Sequence, residues 1–251
     1  MASLTTSSRH PQLVAHRGYA FRYPENTLLA VQAAVEAGAK FVEIDVLLSS
    51  DKVPVLFHDR DCQRMCGVDA AIHDYTYAEL KTFSVSEPES FATQFADNRI
   101  TSLQELVNYL TSVPQVTVFV ELKRQALQEH GINTVLDKVL PLLKPIKTQA
   151  VIISYSIESL LAAQSGSDFP VGAVFDFWAE RNDALIQKLK PEYMFTDIHD
   201  LPEEGKLTCP GSQLAVYECI DPQWANSVYQ RGVDLVETFQ IAEMLAAFNH
   251  D

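Results

Sequence analysis

Phe41-Val42-Glu43-Ile44-Asp45-Val46 reads as a strand with two unlike faces. Strand side chains alternate sides, so Val42, Ile44 and Val46 share one face while Glu43 and Asp45 share the other. In a closed parallel barrel the apolar face packs beneath the outer helices. Both carboxylates then project into the barrel interior near its carboxyl end.

Short apolar runs recur on either side of this stretch. Strands are predicted at 13–15, 41–46, 116–121, 150–154, 171–175, 193–196, 213–217 and 235–238. Helix-period segments follow most of them, at 27–37, 103–110, 132–143, 157–164, 183–189, 223–230 and 241–248. Ser102 and Glu105 have the spacing of a capping box, and Gly38 and Gly232 stand where helices should stop. Strands alternating with helices indicate a parallel sheet, and eight such units indicate an α/β fold closed as a single (β/α)8 TIM barrel over 1–251. A chain of 251 residues and 28.0 kDa is long enough for it. The sixth unit is the weakest, because 197–211 is rich in Pro and Gly. Asp51-Lys52 reads as a hairpin turn into a ninth short strand at 53–57. Residues 60–99 are then too long for a simple loop. They are predicted to form a small insertion after the second strand unit, over the barrel mouth, with a helix at 77–83 and with Phe83 or Phe91 as apolar contacts to the substrate.

Composition narrows the function. Hydrophobic residues make up 47% and charged residues 21%, as in an ordinary globular chain. No apolar run reaches the roughly 18 residues of a membrane span, so no stable membrane insertion is expected. The Ser/Thr-rich residues 1–10 lack the apolar stretch of a secretory signal. Cys62, Cys66, Cys209 and Cys219 are too few and scattered for a disulfide framework, which points to free thiols and a cytoplasmic location. Cys62, Cys66 and His73 offer only three candidate ligands at poor spacing for zinc. A net charge of −14 opposes extended contact with nucleic acid. A small phosphate ester can bind only where a metal ion or clustered cations reverse the local field. The oligomeric state is left open.

Those conditions are met at the strand ends. Two buried carboxylates that close cost several kcal/mol unless a cation or proton compensates. The plain alternative is pairing with Arg or Lys. The run 116–120 ends in Glu121-Leu122-Lys123, which puts Glu121 and Lys123 on one face at another carboxyl end. Hard oxygen donors such as Glu43, Asp45 and Glu121 suit Mg²⁺ or Ca²⁺ better than zinc. Lys123 can neutralise part of their charge or bind a phosphate oxygen. Two further strands run into His16-Arg17-Gly18 and His58-Asp59. His is the usual acid or base at neutral pH, and Arg17 offers a planar fork for phosphate. Pro24-Glu25-Asn26-Thr27 reads as a helix start capped by Asn26 or Thr27.

Together these residues resemble the glycerophosphodiester phosphodiesterase family. The resemblance is carried by His16-Arg17-Gly18, Glu25-Asn26-Thr27, Glu43-x-Asp45, His58-Asp59, Ile100-Thr101-Ser102-Leu103 and Glu121-x-Lys123, in family order and at similar spacing, over roughly 13–123. It implies a (β/α)8 barrel with a small insertion after the second strand unit. It also implies hydrolysis of a small-molecule glycerophosphodiester to glycerol 3-phosphate and an alcohol. Glu43, Asp45 and Glu121 then fall at divalent-metal positions, His16 and His58 at acid/base positions, and Arg17 and Lys123 where phosphate is held. The family's aromatic-Thr pattern on strand seven is here Tyr217-Glu218, so Tyr217 becomes the candidate aromatic wall and Glu218 an unexpected acid. Glu237-Thr238-Phe239 departs from the family's Thr-Asp after strand eight, and Trp178 is a candidate for lining the mouth. A related phospholipase acting on lipid head groups is opposed by the acidic balance and by the lack of an apolar insertion. A silent phosphodiester-binding barrel is opposed by retention of both histidines and all three acids.

Overall fold

The computed structural model describes residues 10–249. Residues 1–9, which carry most of the Ser/Thr-rich stretch, and 250–251 lie outside the described residues. Strands β1 (Gln12–Ala15), β2 (Phe41–Leu48), β3 (Pro54–Leu56), β4 (Thr117–Leu122), β5 (Ala150–Ser154), β6 (Val171–Val174), β7 (Tyr193–Asp197), β8 (Gln213–Tyr217) and β9 (Leu235–Thr238) form one sheet. Its order is β1-β9-β8-β7-β6-β5-β4-β2-β3, and β1 also pairs with β2, which closes eight parallel strands into a barrel. The ninth strand, β3, runs antiparallel to β2 with Val46 opposite Leu56, and Lys52 in the intervening turn is left-handed at φ 63.

The helices are α1 (Leu28–Glu36), α2 (Gln63–Cys66), α3 (Tyr77–Leu80), α4 (Pro88–Phe91), α5 (Leu103–Leu110), α6 (Arg124–His130), α7 (Ile132–Leu143), α8 (Ile157–Gly166), α9 (Ala184–Leu189), α10 (Pro222–Arg231) and α11 (Ile241–Asn249). Thr27 caps α1 by accepting from the Ala30 amide at 3.1 Å. Ser102 and Glu105 form the expected reciprocal capping box on α5. No helix among the described residues is long and apolar enough to cross a membrane.

Three differences from the sequence reading have local causes. Helix α6 was missed because its sequence buries only Ala126 and Leu127 and shows little periodicity. The helix expected over 77–83 ends at Leu80, where the Lys81 amide already bonds back to Glu79 and Tyr77. The weak sixth unit has a single 3-10 turn, Ile198–Asp200, in place of a helix after β7.

Two apolar clusters divide the interior. The larger lies between strands and helices and includes Val42, Ile44 and Val46. A smaller one fills the barrel itself, built on Val14, Phe119, Ile153, Phe195 and Leu235. Phe119 packs edge-on against Phe195 at 5.1 Å and against Tyr193 at 5.0 Å. Gly172 leaves room for this plug, since a Cβ there would come within 2.9 Å of Ile153 Cγ2. The polar side chains are thereby confined to the carboxyl end.

Candidate active site

Glu43 and Asp45 leave the end of β2 on one face, and the register places Asp45 directly beside Glu121 of β4. One oxygen from each of Glu43, Asp45 and Glu121 lies within 4.8 Å of the others. All three are buried. Lys123 Nζ sits 3.0 Å from both Asp45 Oδ1 and Glu121 Oε1. Arg17 adds its Nε 3.3 Å from Asp45 Oδ2. The plain ion-pair alternative thus accounts for Asp45 and Glu121 in part, but not for Glu43. Glu43 Oε2 accepts the Arg17 backbone N–H at 3.1 Å, while its Oε1 is buried with no hydrogen-bond partner.

The loop after β1 makes that amide contact possible. Arg17 is left-handed at φ 57 and is followed by Gly18 at φ 83. A Cβ on Gly18 would lie 2.7 Å from the Ala30 carbonyl carbon, so only glycine lets the loop press onto α1. Asn26 and Glu25 do more than start a helix. Asn26 accepts the Asp45 backbone N–H at 2.9 Å and donates to Asp45 Oδ2 at 2.8 Å. Glu25 Oε1 accepts from Arg17 Nη1 at 3.0 Å.

The two histidines have different surroundings. His16 stacks on Phe239 at 4.8 Å, with Nδ1 3.5 Å from Glu218 Oε2. Its Nε2 lies 3.8 Å from Glu43 Oε2 and 3.7 Å from Glu237 Oε2. Burial lowers its pKa below the ordinary 6.5, against the pull of Glu218. His58 is more open, and its Nδ1 meets Asp59 Oδ1 at 2.7 Å. An ionised carboxylate only accepts, so this contact assigns the proton to Nδ1 and leaves Nε2 free.

His16, Arg17, Glu43, His58, Glu121 and Lys123 line one cavity, whose far wall includes Tyr217. Asp45 sits behind them, held by Lys123, Arg17 and Asn26. Two further polar residues of the same cavity were not among the predicted site residues. Tyr155 bonds hydroxyl to hydroxyl with Tyr217 at 2.7 Å, and Glu237 of β9 is 2% exposed with an unpartnered Oε1. The available signal for Glu237 is its place near the carboxyl end of a predicted strand, on the face opposite Val236. Trp178 carries Arg181 on its face at 4.2 Å and does not line this cavity. Phe83 packs on Tyr75 and Phe91 on Phe95, so neither lines it either. The four cysteines are free thiols.

Burial and the mutual repulsion of the acids push the carboxyls of Glu43 and Glu237 well above their ordinary range. Glu121 is raised for the same reasons, though Lys123 opposes the shift. Asp45 is driven down in spite of burial by Lys123 and Arg17. A cluster of oxygen donors in excess of its cations, with Glu43 Oε1 buried and without a hydrogen-bond partner, fits a divalent metal ion.

The sequence model of the glycerophosphoryl diester phosphodiesterase family matches residues 16–202. The chain belongs to that family. Members similar to it include a glycerophosphodiester phosphodiesterase of Bacillus altitudinis, 33% identical over 122 residues, or 49% of each chain. Glycerophosphodiester phosphodiesterase 1 of Rattus norvegicus is 34% identical over 113 residues, 45% of this chain and 34% of the relative. The chain therefore spans about half or less of the length of these curated relatives. A glycerophosphodiester phosphodiesterase structure from Thermotoga maritima superposes with a TM-score of 0.73 at 25% identity, covering 95% of this chain and 98% of the other. An Oleispira antarctica phosphodiesterase solved with its product sn-glycerol-3-phosphate gives 0.82 at 23% identity over 96% and 97%, a likeness of fold.

Proposed function

We propose that this chain hydrolyses small glycerophosphodiesters to glycerol 3-phosphate and an alcohol, using a divalent cation, Mg²⁺ or Ca²⁺, held by Glu43, Asp45 and Glu121. The observation that carries the reading is the convergence of three buried oxygen donors, two of them lining one cavity and Asp45 behind it, with two cationic side chains and two strand-end histidines of the same cavity in a chain of this family. The bound cation supplies positive charge for a phosphoryl oxygen. Arg17 and Lys123 share the remaining phosphoryl charge, the first through its fork and the second through its free N–H. His16, kept neutral by burial, takes the proton of the attacking hydroxyl. His58 acts as the imidazolium: Asp59 holds its Nδ1–H, and the second proton, on Nε2, passes to the departing alkoxide. Tyr217, braced by Tyr155, walls the substrate side. The free thiols fit the cytoplasm.

A second reading has one specific observation behind it. Phe21, Phe177 and Ile220, exposed by 46%, 63% and 53%, all follow carboxyl ends of strands, after β1, β6 and β8. An apolar rim of this kind favours a diester that carries a hydrocarbon chain, and a human relative 33% identical over 105 residues is named a lysophospholipase D. One experiment tests both readings. Glycerophosphocholine, glycerophosphoethanolamine, glycerophosphoglycerol and lysophosphatidylcholine are incubated with Mg²⁺, Ca²⁺ or chelator, and products are identified by ³¹P NMR. Metal-dependent release of glycerol 3-phosphate supports the first reading, and release of its acylated form alone supports the second. Absence of any phosphomonoester, or full rates in excess chelator, would overturn the proposal.

A further inference from the structure

The segment 60–99 reaches the site through Arg64 and not through an aromatic ring. Arg64 of α2 places Nε 2.7 Å from Asp59 Oδ2 and Nη2 2.6 Å from Glu25 Oε1. Each of those carboxylates has a second partner in the cavity: Asp59 Oδ1 holds His58 Nδ1 at 2.7 Å, and Glu25 Oε1 holds Arg17 Nη1 at 3.0 Å. We propose that Arg64 is a positioning residue that sets the ring of His58 through Asp59 and the fork of Arg17 through Glu25. The inference rests on the roles given above to His58 and Arg17.

The physical case turns on shape. A guanidinium is planar and offers two edges at a fixed angle, so it meets two carboxylates at once and fixes their relative orientation. With Asp59 Oδ2 held, the carboxylate cannot rotate, and Oδ1 stays in line with the imidazole. The Nδ1 proton is then fixed and Nε2 is the working nitrogen. Glu25 carries two guanidinium groups on one oxygen, so Arg17 is held from the side away from the metal-type acids.

Arg64 is not needed to attach the segment to the barrel. Its neighbours Cys62 and Met65 are buried in the main core, the Tyr75 carbonyl accepts the Ser50 amide at 2.8 Å, and the Tyr77 hydroxyl donates to Glu105 Oε2 at 2.6 Å. Loss of the guanidinium should therefore leave the fold intact while loosening two side chains in the cavity.

Arg64→Ala and Arg64→Lys are compared with the parent in steady-state rates on glycerophosphocholine and in thermal melts. The expected result for R64A is a kcat lower by roughly 10–100-fold, the range for lost orienting partners, with a smaller change in KM and a near-parental melt. R64K recovers only part, because an ammonium cannot span both carboxylates. Millimolar guanidinium restores part of the R64A rate and none of it in the parent. In ¹⁵N NMR of the imidazoles at alkaline pH, where the ring is neutral, His58 is the Nδ1–H tautomer in the parent and a mixture in R64A. A parental kcat in R64A overturns the proposal, as does a loss that guanidinium leaves untouched while His58 keeps its tautomer. The tautomer reading needs no turnover. It tests Arg64 even if the parent hydrolyses no diester, an outcome that would remove the proposed function alone.

Discussion

Glu43→Gln should make the metal-free protein more stable while destroying its response to metal. Lys123 pairs with Asp45 and Glu121, whereas no Lys or Arg side chain forms an ion pair with Glu43 among the described residues. Oxygens of the three acids lie within 4.8 Å of one another. At that separation two unit charges repel by roughly 3.5 kcal/mol at an effective dielectric constant of about 20. Proton uptake at the raised Glu43 carboxyl relieves part of this, so the amide should gain about 1–2 kcal/mol. For a chain of this size that is a rise in Tm of about 2–8 °C in chelator. Metal at a hundred times its Kd adds about 2.7 kcal/mol to the parent, or roughly 5–11 °C, and should add nothing to E43Q. Calorimetric melts of both proteins in chelator and in millimolar Mg²⁺ or Ca²⁺ measure the two effects. An E43Q that melts below the parent in chelator, or that shifts with metal as the parent does, would refute the reasoning.

Other outcomes follow from the same geometry. His16→Ala and His58→Ala should each lower kcat roughly 10²–10⁴-fold with melts close to the parent's, checked by initial rates and circular dichroism on the same samples. Gly18→Ala, forced to φ 83 with a Cβ 2.7 Å from the Ala30 carbonyl carbon, should cost about 2–4 kcal/mol in urea unfolding, and an unchanged midpoint would mean that the loop is slack. Glu105 is partly buried, yet hydrogen bonds from the Tyr77 hydroxyl and from Ser102 hold its carboxyl below the ordinary 4.5. A depressed pKa contributes stability above pH 4.5 that is lost as pH falls through the folded value. E105Q should therefore be less stable than the parent at pH 6, and the gap should narrow at pH 3.

The strands could be read in advance because their cue is local. In 41–46 the alternation of valine and isoleucine with two acids carries both the element and its facing, and β-branched runs of the same kind marked the other barrel strands. The acid triad followed because Glu121 repeats the pattern on the strand that pairs with β2. Glu237 follows two apolar residues and precedes a threonine, so no alternation marked it, and only its place near a strand's carboxyl end pointed to the mouth. Arg64 had no local cue at all. It sits in a helix of only four residues, and its meaning depends on Glu25 and Asp59, which only the closed fold brings to two nitrogens of its guanidinium. Phe83 and Phe91 attracted attention as aromatics, although rings in a short insertion with little core of its own are needed to pin it down. Helix α6 lacked the periodicity by which longer helices announce themselves.

The barrel draws His16, Arg17, Glu43, Asp45, His58, Glu121 and Lys123 from its first four strands and the turns that follow them, while Tyr155, Tyr217, Glu218, Phe177 and Ile220 come from the opposite arc. On the proposed reading, drift or a mutagenesis library confined to 177–178 and 220 can remodel the wall opposite the acids without touching any side chain that contacts His16, Arg17 or Lys123. A scaffold partitioned in this way can diversify in what it accepts long before it must change how it reacts.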